Sequence, residues 1–113
     1  MKIGREFYFD AAHFLPRYKG KCERFHGHTY KLEVIIDGEI QKNGMVLDFN
    51  DLNKIVNEKI LNFLDHRNLN EIFKQPTAER IAEWIFSKLK KELPCLYSVK
   101  LWEGKGKWVL IEK

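Results

Sequence analysis

The chain of 113 residues predicts a single α+β domain, residues 1–113, with the element order ββααββ. Apolar residues alternate at a period of two near both ends of the chain, which is typical of half-buried strands. Between those two regions they recur at helical spacing. We therefore expect an antiparallel four-stranded sheet with two helices on one face.

The first two strands span about residues 3–13 and 26–37, and an Asp37-Gly38 turn signal ends the second strand. Residues of one parity form the apolar face of each strand. In the first strand these residues are Ile3, Phe7, Phe9, Ala11 and His13, and in the second they are His28, Tyr30, Leu32, Val34 and Ile36. The same face therefore carries both core residues and histidines.

The middle of the chain predicts two helices. The first has the helical stripe Leu52, Ile55, Val56, Ile60, Phe63 and Leu64, and Asp48 or Asn50 is its expected N-cap. The second begins at Thr77, another expected N-cap, and ends before Pro94. A third strand then carries Tyr97, Val99, Leu101 and Glu103 on one face, and residues 108–111 return as a fourth.

Three histidines are the main chemical feature of the sequence. His26 and His28 are two residues apart on one strand face, and His13 ends the neighbouring strand. A buried imidazole needs a partner, and three neutral imidazoles with an open fourth position are typical of catalytic zinc. An iron site with two histidines would require Asp10, which lies on the opposite strand face. The competing interpretation is that one of the histidines is an ordinary core or surface residue.

Composition and charge argue against two classes of protein, nucleic-acid-binding proteins and membrane proteins. The net charge is +4, the basic residues are spread along the chain, and no nucleic-acid-binding motif appears, so we expect no nucleic-acid partner. No run of about 18 apolar residues exists and no signal-peptide stretch begins the chain, so we expect a cytoplasmic protein without membrane contact.

The motifs together resemble the family of 6-pyruvoyltetrahydropterin and 6-carboxytetrahydropterin synthases. The matching segments are Phe9–His13, Cys22–Tyr30, Met45–Phe49, Leu64–Leu69, Pro76–Glu79 and Glu103. The resemblance implies the tunnelling fold, in which sheets of several subunits join into a barrel with sites between them. It also implies zinc, a dihydropterin triphosphate substrate and a homo-hexamer built as a dimer of trimers.

Three residues separate Cys22 from His26, a gap that resembles the bacterial and archaeal 6-carboxytetrahydropterin synthases of queuosine and archaeosine pathways. The expected activity is a zinc-dependent lyase that converts 7,8-dihydroneopterin triphosphate to 6-carboxy-5,6,7,8-tetrahydropterin. The pyruvoyl-forming synthase is the alternative. An aldolase subfamily has glutamate in place of the cysteine, and Glu23 keeps that option open. A non-catalytic zinc module with Cys22 as fourth ligand is a further alternative.

The resemblance also implies roles for individual residues. Cys22, Asp65 and His66 would form a proton relay, and Glu103 would anchor the pterin, with Thr77 and Glu79 lining its pocket. The residues themselves allow different roles. Asp-His after a helix is also typical of a C-terminal cap, Glu103 could end its strand in solvent, and capping alone explains Thr77.

Overall fold

The computed structural model describes residues 1–16 and 24–113, which form one sheet with helices on one of its faces. The five strands are β1 (Lys2–His13), β2 (His26–Asp37), β3 (Arg67–Asn68), β4 (Leu96–Glu103) and β5 (Trp108–Glu112). The first helical segment consists of α1 (Phe49–Val56), a π-helical stretch (Asn57–Leu61) and α2 (Asn62–Leu64). A 3-10 turn (Leu69–Glu71) and α3 (Ala78–Glu92) follow. The predicted α+β class and the order of the main elements are confirmed.

The sheet has the strand order β3-β1-β2-β4-β5. The pairs β1–β2, β2–β4 and β4–β5 are antiparallel, whereas β3 pairs parallel to β1 through Ala11↔Arg67 and Ala12↔Asn68. The expectation of a purely antiparallel sheet of four strands was therefore wrong. The extra strand is two residues long, and so short a strand cannot show the alternation on which the sequence prediction depends.

The core lies between one face of the sheet and the two helical segments. Residues of the predicted parity are buried along β1 and β2, and Leu52, Ile60 and Ile85 close the core from the helices. Both helix starts have side-chain caps. The Asp48 carboxylate accepts a hydrogen bond from the Asn50 N–H at 2.8 Å, and the Thr77 hydroxyl accepts one from the Arg80 N–H at 3.2 Å.

The register of β1 against β2 places the histidines. The two strands pair from Lys2↔Asp37 to His13↔His26, so the apolar core face ends in imidazoles at the last residue pairs. Among the described residues, no helix is both long and apolar enough to cross a membrane.

We predict that Ile36→Ala lowers the free energy of unfolding by about 2–5 kcal/mol, because it leaves a cavity in a packed core. The Ile36 side chain is fully buried on β2. Ile40→Ala is the matched control: that isoleucine is 56% exposed, and its loss should change stability by about 0.5 kcal/mol or less. Urea denaturation of the metal-free protein measures both. Equal effects of the two substitutions would contradict this assignment of the core.

Candidate metal centre and active site

Three imidazoles converge at the end of the core face. His13 and His26 are direct cross-strand partners, and His28 is two residues further along β2. Their ring centroids are 4.7–5.0 Å apart. One ring nitrogen of each histidine lies within 4.8 Å of those of the other two. His13 is almost fully buried, at 1% exposure.

Backbone carbonyls fix the protonation of two of these rings. The Nδ1 atom of His13 lies 2.7 Å from the Pro76 carbonyl oxygen, and Nδ1 of His26 lies 2.6 Å from that of Arg24. A carbonyl oxygen can only accept, so each Nδ1 carries the hydrogen and donates it. Nε2 is therefore the nitrogen through which either ring would bind a metal, with Nδ1–H held by a carbonyl as is usual for metal-binding histidines.

The third imidazole has a buried nitrogen without a hydrogen-bond partner. Among the described residues, nothing bonds to Nε2 of His28, and Oε1 of Glu103 is 3.6 Å away. Burial lowers the pKa of His28; Glu103 raises it, and His13 and His26 lower it further. The ring therefore favours its neutral form. Three convergent imidazoles, one of them with an orphaned nitrogen, fit the ligand preferences of Zn²⁺.

Glu103 faces the cluster from β4. Its side chain is 21% exposed, and Nζ of Lys107 lies 3.9 Å from Oε1. Glu103 lines a recess of about 400 Å³ together with Thr77 and Glu79. The three predicted substrate-binding residues thus line one recess, which lies next to His28 through Glu103, although Thr77 also caps α3.

Sequence reasoning treated Tyr30 only as a core residue, yet it carries a second orphaned group. Its ring stacks on Phe9 at 4.9 Å and is fully buried, and its hydroxyl has no hydrogen-bond partner in the described chain. Burial, and secondarily Glu103, raises the pKa of Tyr30. The sequence did contain a sign of this group, because Tyr30 places a hydroxyl on the apolar face of the strand, two residues after His28.

The Asp65–His66 pair lies just after α2. Oδ1 of Asp65 contacts Nδ1 of His66 at 3.0 Å and also accepts the Asp10 N–H at 3.0 Å. The His66 N–H donates to the Asp10 carbonyl at 2.7 Å. His66 has a φ of 58°, a left-handed conformation that costs most residues about 1–2 kcal/mol. Its imidazole is 79% exposed.

The structure brings some of the predicted site residues together and leaves others apart. The three histidines form one cluster, and Glu103 faces His28 from the recess that it shares with Thr77 and Glu79. His66 lines a second recess of about 550 Å³, which His28 also borders. Asp10 and Thr29 line this second recess too, although the sequence did not mark them as site residues. Cys22, the predicted base, lies outside the described residues, as does its neighbour Glu23.

A family model described as 6-pyruvoyl tetrahydropterin synthase matches residues 2–113. The chain belongs to this family. It is 42% identical over 129 aligned residues to 6-carboxy-5,6,7,8-tetrahydropterin synthase of Haemophilus influenzae, with 90% of this chain and 92% of that protein covered. It is 48% identical over 99 residues to dihydroneopterin monophosphate aldolase of Pyrococcus furiosus, with 85% and 83% covered.

A solved structure supports the same fold. The 6-pyruvoyl tetrahydropterin synthase of Caenorhabditis elegans superimposes with a TM-score of 0.90 at 32% identity, with 100% of this chain and 95% of that chain covered. The family predicted from the motifs is therefore confirmed. Its relatives include proteins named for different reactions, so the choice of reaction depends on the site.

We predict that His66→Val lowers the free energy of unfolding by about 1–3 kcal/mol more than His66→Asn does. Both substitutions remove the imidazole, but asparagine tolerates the left-handed conformation and a β-branched valine does not. Chemical denaturation measures the difference. Equal stability of the two variants would mean that the positive φ at His66 carries no cost.

Proposed function

We propose that the protein is a zinc-dependent lyase that converts 7,8-dihydroneopterin triphosphate to 6-carboxy-5,6,7,8-tetrahydropterin, a precursor in the queuosine or archaeosine pathway. The observation that carries the proposal is the cluster of His13, His26 and His28, directly beside Glu103. Membership of the pterin synthase family and the resemblance to the Haemophilus influenzae enzyme support it.

His13, His26 and His28 would hold the zinc ion, the first two through the Nε2 atoms that their backbone contacts leave free. Bound zinc supplies Lewis acidity toward the hydroxyl oxygens of the substrate side chain. Glu103 would accept hydrogen bonds from the pterin N3–H and 2-amino group, two parallel donors that suit a carboxylate. The recess it shares with Thr77 and Glu79 leaves space for the ring.

In this proposal, proton transfer is carried out by Cys22, Asp65 and His66. Oδ1 of Asp65 holds Nδ1 of His66, so Nε2 of the exposed imidazole is the position that gains or loses a proton. Histidine suits this role because its ordinary pKa is about 6.5. Cys22 as a thiolate would abstract a proton from the side chain of the pterin.

The His66 imidazole is 79% exposed and does not belong to the histidine cluster, so we propose that each complete site combines groups from two copies of the chain. The face without helices exposes Tyr8 at 61% and Trp108 at 52%, and β5 lies at the edge of the sheet. An exposed strand edge favours pairing with another chain. A homo-hexamer built as a dimer of trimers is the assembly we propose.

The similarity to an aldolase of the family supports a second candidate reaction. The similarity to the Pyrococcus furiosus aldolase is 48% over 99 residues, so cleavage of dihydroneopterin monophosphate is the second candidate reaction. The pyruvoyl-forming reaction and a non-catalytic zinc domain are tested in the same experiment.

Incubating the zinc-loaded protein with the triphosphate or the monophosphate, followed by mass spectrometry, distinguishes these reactions. Release of acetaldehyde with the 6-carboxy product supports the proposed function, and a 6-pyruvoyl product favours the synthase. Turnover of the monophosphate alone favours the aldolase. Tight zinc binding without turnover of either compound would indicate a non-catalytic zinc domain.

We predict that His13→Ala, His26→Ala and His28→Ala each reduce bound zinc well below about one ion per chain, because two remaining imidazoles hold the ion poorly. His66→Ala is the matched control and should retain zinc, since His66 does not belong to the cluster. Metal analysis after dialysis measures all four. Full zinc occupancy in the three cluster variants would exclude the cluster as the metal site.

We predict that Glu103→Ala and His66→Ala are each inactive but recover activity when co-expressed, because Glu103 lies beside the histidine cluster and His66 would come from the other copy. In mixed oligomers with shared sites, about one quarter of the sites would contain both wild-type residues. Co-purified mixtures are assayed against each variant alone, and light scattering reports their size. An active monomer, or a mixture as inactive as its parts, would contradict the shared site.

A further inference from the structure

We infer that Asp10 and Thr29 form a positioning pair that holds Asp65 and His66 in a fixed place at the paired ends of β1 and β2, from which they would reach the site. The inference rests on the proposed function of Asp65 and His66 in proton transfer. Neither Asp10 nor Thr29 would touch the reacting atoms; they would act through the residues they hold.

The backbone of Asp10 contacts both members of the Asp65–His66 pair. Its N–H donates to Oδ1 of Asp65 at 3.0 Å, and its carbonyl accepts from the N–H of His66 at 2.7 Å. The left-handed φ of His66 is a conformation that the surrounding structure must impose. Any movement of β1 at Asp10 would therefore move the carboxylate and the imidazole together.

The side chain of Asp10 ties β1 to β2 at this position. Asp10 and Thr29 are direct cross-strand partners, and the Thr29 hydroxyl donates to Oδ1 of Asp10 at 2.5 Å. Thr29 directly follows His28, so the same hydrogen bond connects the strand of two histidines to the residue that holds Asp65 and His66.

The Asp10–Thr29 hydrogen bond lies near the ends of β1 and β2, where few side chains connect the two strands on this face. Beyond Asp10↔Thr29, the only pair on that face of β1 and β2 is Ala12↔Gly27, which offers little side chain for packing. The last polar contact between the strands on this face is therefore the Asp10–Thr29 bond. The other contacts of the end of β1, to β3 and to Asn70, tie that strand to the following segment and not to β2.

The test compares Thr29→Val, which keeps the shape but removes the donor, with Thr29→Ser, which keeps the hydroxyl. We expect Thr29→Val to lower kcat about tenfold, because a small displacement of a proton-transfer group is costly. The KM and the bound zinc should stay at the wild-type level, and Thr29→Ser should restore kcat. Glu6→Gln, which breaks the Glu6–Lys31 ion pair on the same face, is the control and should leave kcat unchanged.

A second measurement does not depend on activity. Nitrogen-15 spectra of the metal-free protein report the Nδ1–H of His66, which should shift in Thr29→Val and keep its wild-type position in Thr29→Ser and Glu6→Gln. This shift decides the inference if the wild-type protein turns over neither pterin, a result that would refute the proposed function alone. If Thr29→Val does not fold, Asp10→Ala against Asp10→Asn makes the same comparison, because asparagine keeps an acceptor for Thr29.

Two results would overturn the inference. One is an unchanged His66 signal in Thr29→Val. The other is a loss of kcat that occurs together with an equal loss of bound zinc or of folded protein, since that describes general destabilisation and not positioning.

Discussion

The pairing register of β1 and β2 is the constraint on which the rest of the site depends. It sets His13 opposite His26 and Ala11 opposite His28 on the core face, and Asp10 opposite Thr29 on the other face. A shift of one residue in a strand would turn every side chain of that strand to the other face. The hydrophobic alternation of the two strands thus also fixes the geometry of the histidine cluster.

The same alternation separates two kinds of chemistry. Side chains of one parity lie in the low-dielectric end of the core, where burial keeps His28 neutral and suited to bind a metal. Asp10 and Thr29, of the other parity, line the open recess with the solvent-exposed His66, and His28 borders the same recess. The proposed metal ligands must be neutral and held in place, whereas the proposed proton-transfer group must reach solvent or substrate, so adjacent residues of one sheet would meet both requirements.

Much of the fold followed from pattern alone, because alternation and helical spacing report which face is buried. The capping roles of Asp48 and Thr77 were also accessible, since a capping residue acts on the backbone a few residues away. The strand β3 could not be predicted from the sequence, because its pairing depends on the left-handed turn at His66. A positive φ at a residue other than glycine has no reliable signal in a single sequence.

Some features of the candidate site could likewise be predicted from the sequence, and others could not. The convergence of three histidines was predictable from their parity, but the carbonyls of Pro76 and Arg24 that orient two of the rings were not. A carbonyl leaves no trace in residue type, whether it lies two residues away, as that of Arg24 does, or in a distant segment, as that of Pro76 does. The recess shared by Glu103, Thr77 and Glu79 depends on how α3 packs beside β4, which the family resemblance suggested and periodicity did not.

Two buried polar atoms without partners, Nε2 of His28 and the Tyr30 hydroxyl, remain in the described chain. Each such atom costs the folded state about 1–3 kcal/mol. An apolar residue at either position would continue the core of β2 without that cost. Both atoms lie close to Glu103: one is 3.6 Å from its carboxylate, and the other belongs to its direct cross-strand partner. Local departures from the rules of core packing are expected at functional sites, and here they coincide with the residues proposed to bind metal and pterin. The chemistry proposed for these residues is therefore a physical reason for the stability lost at this end of the sheet.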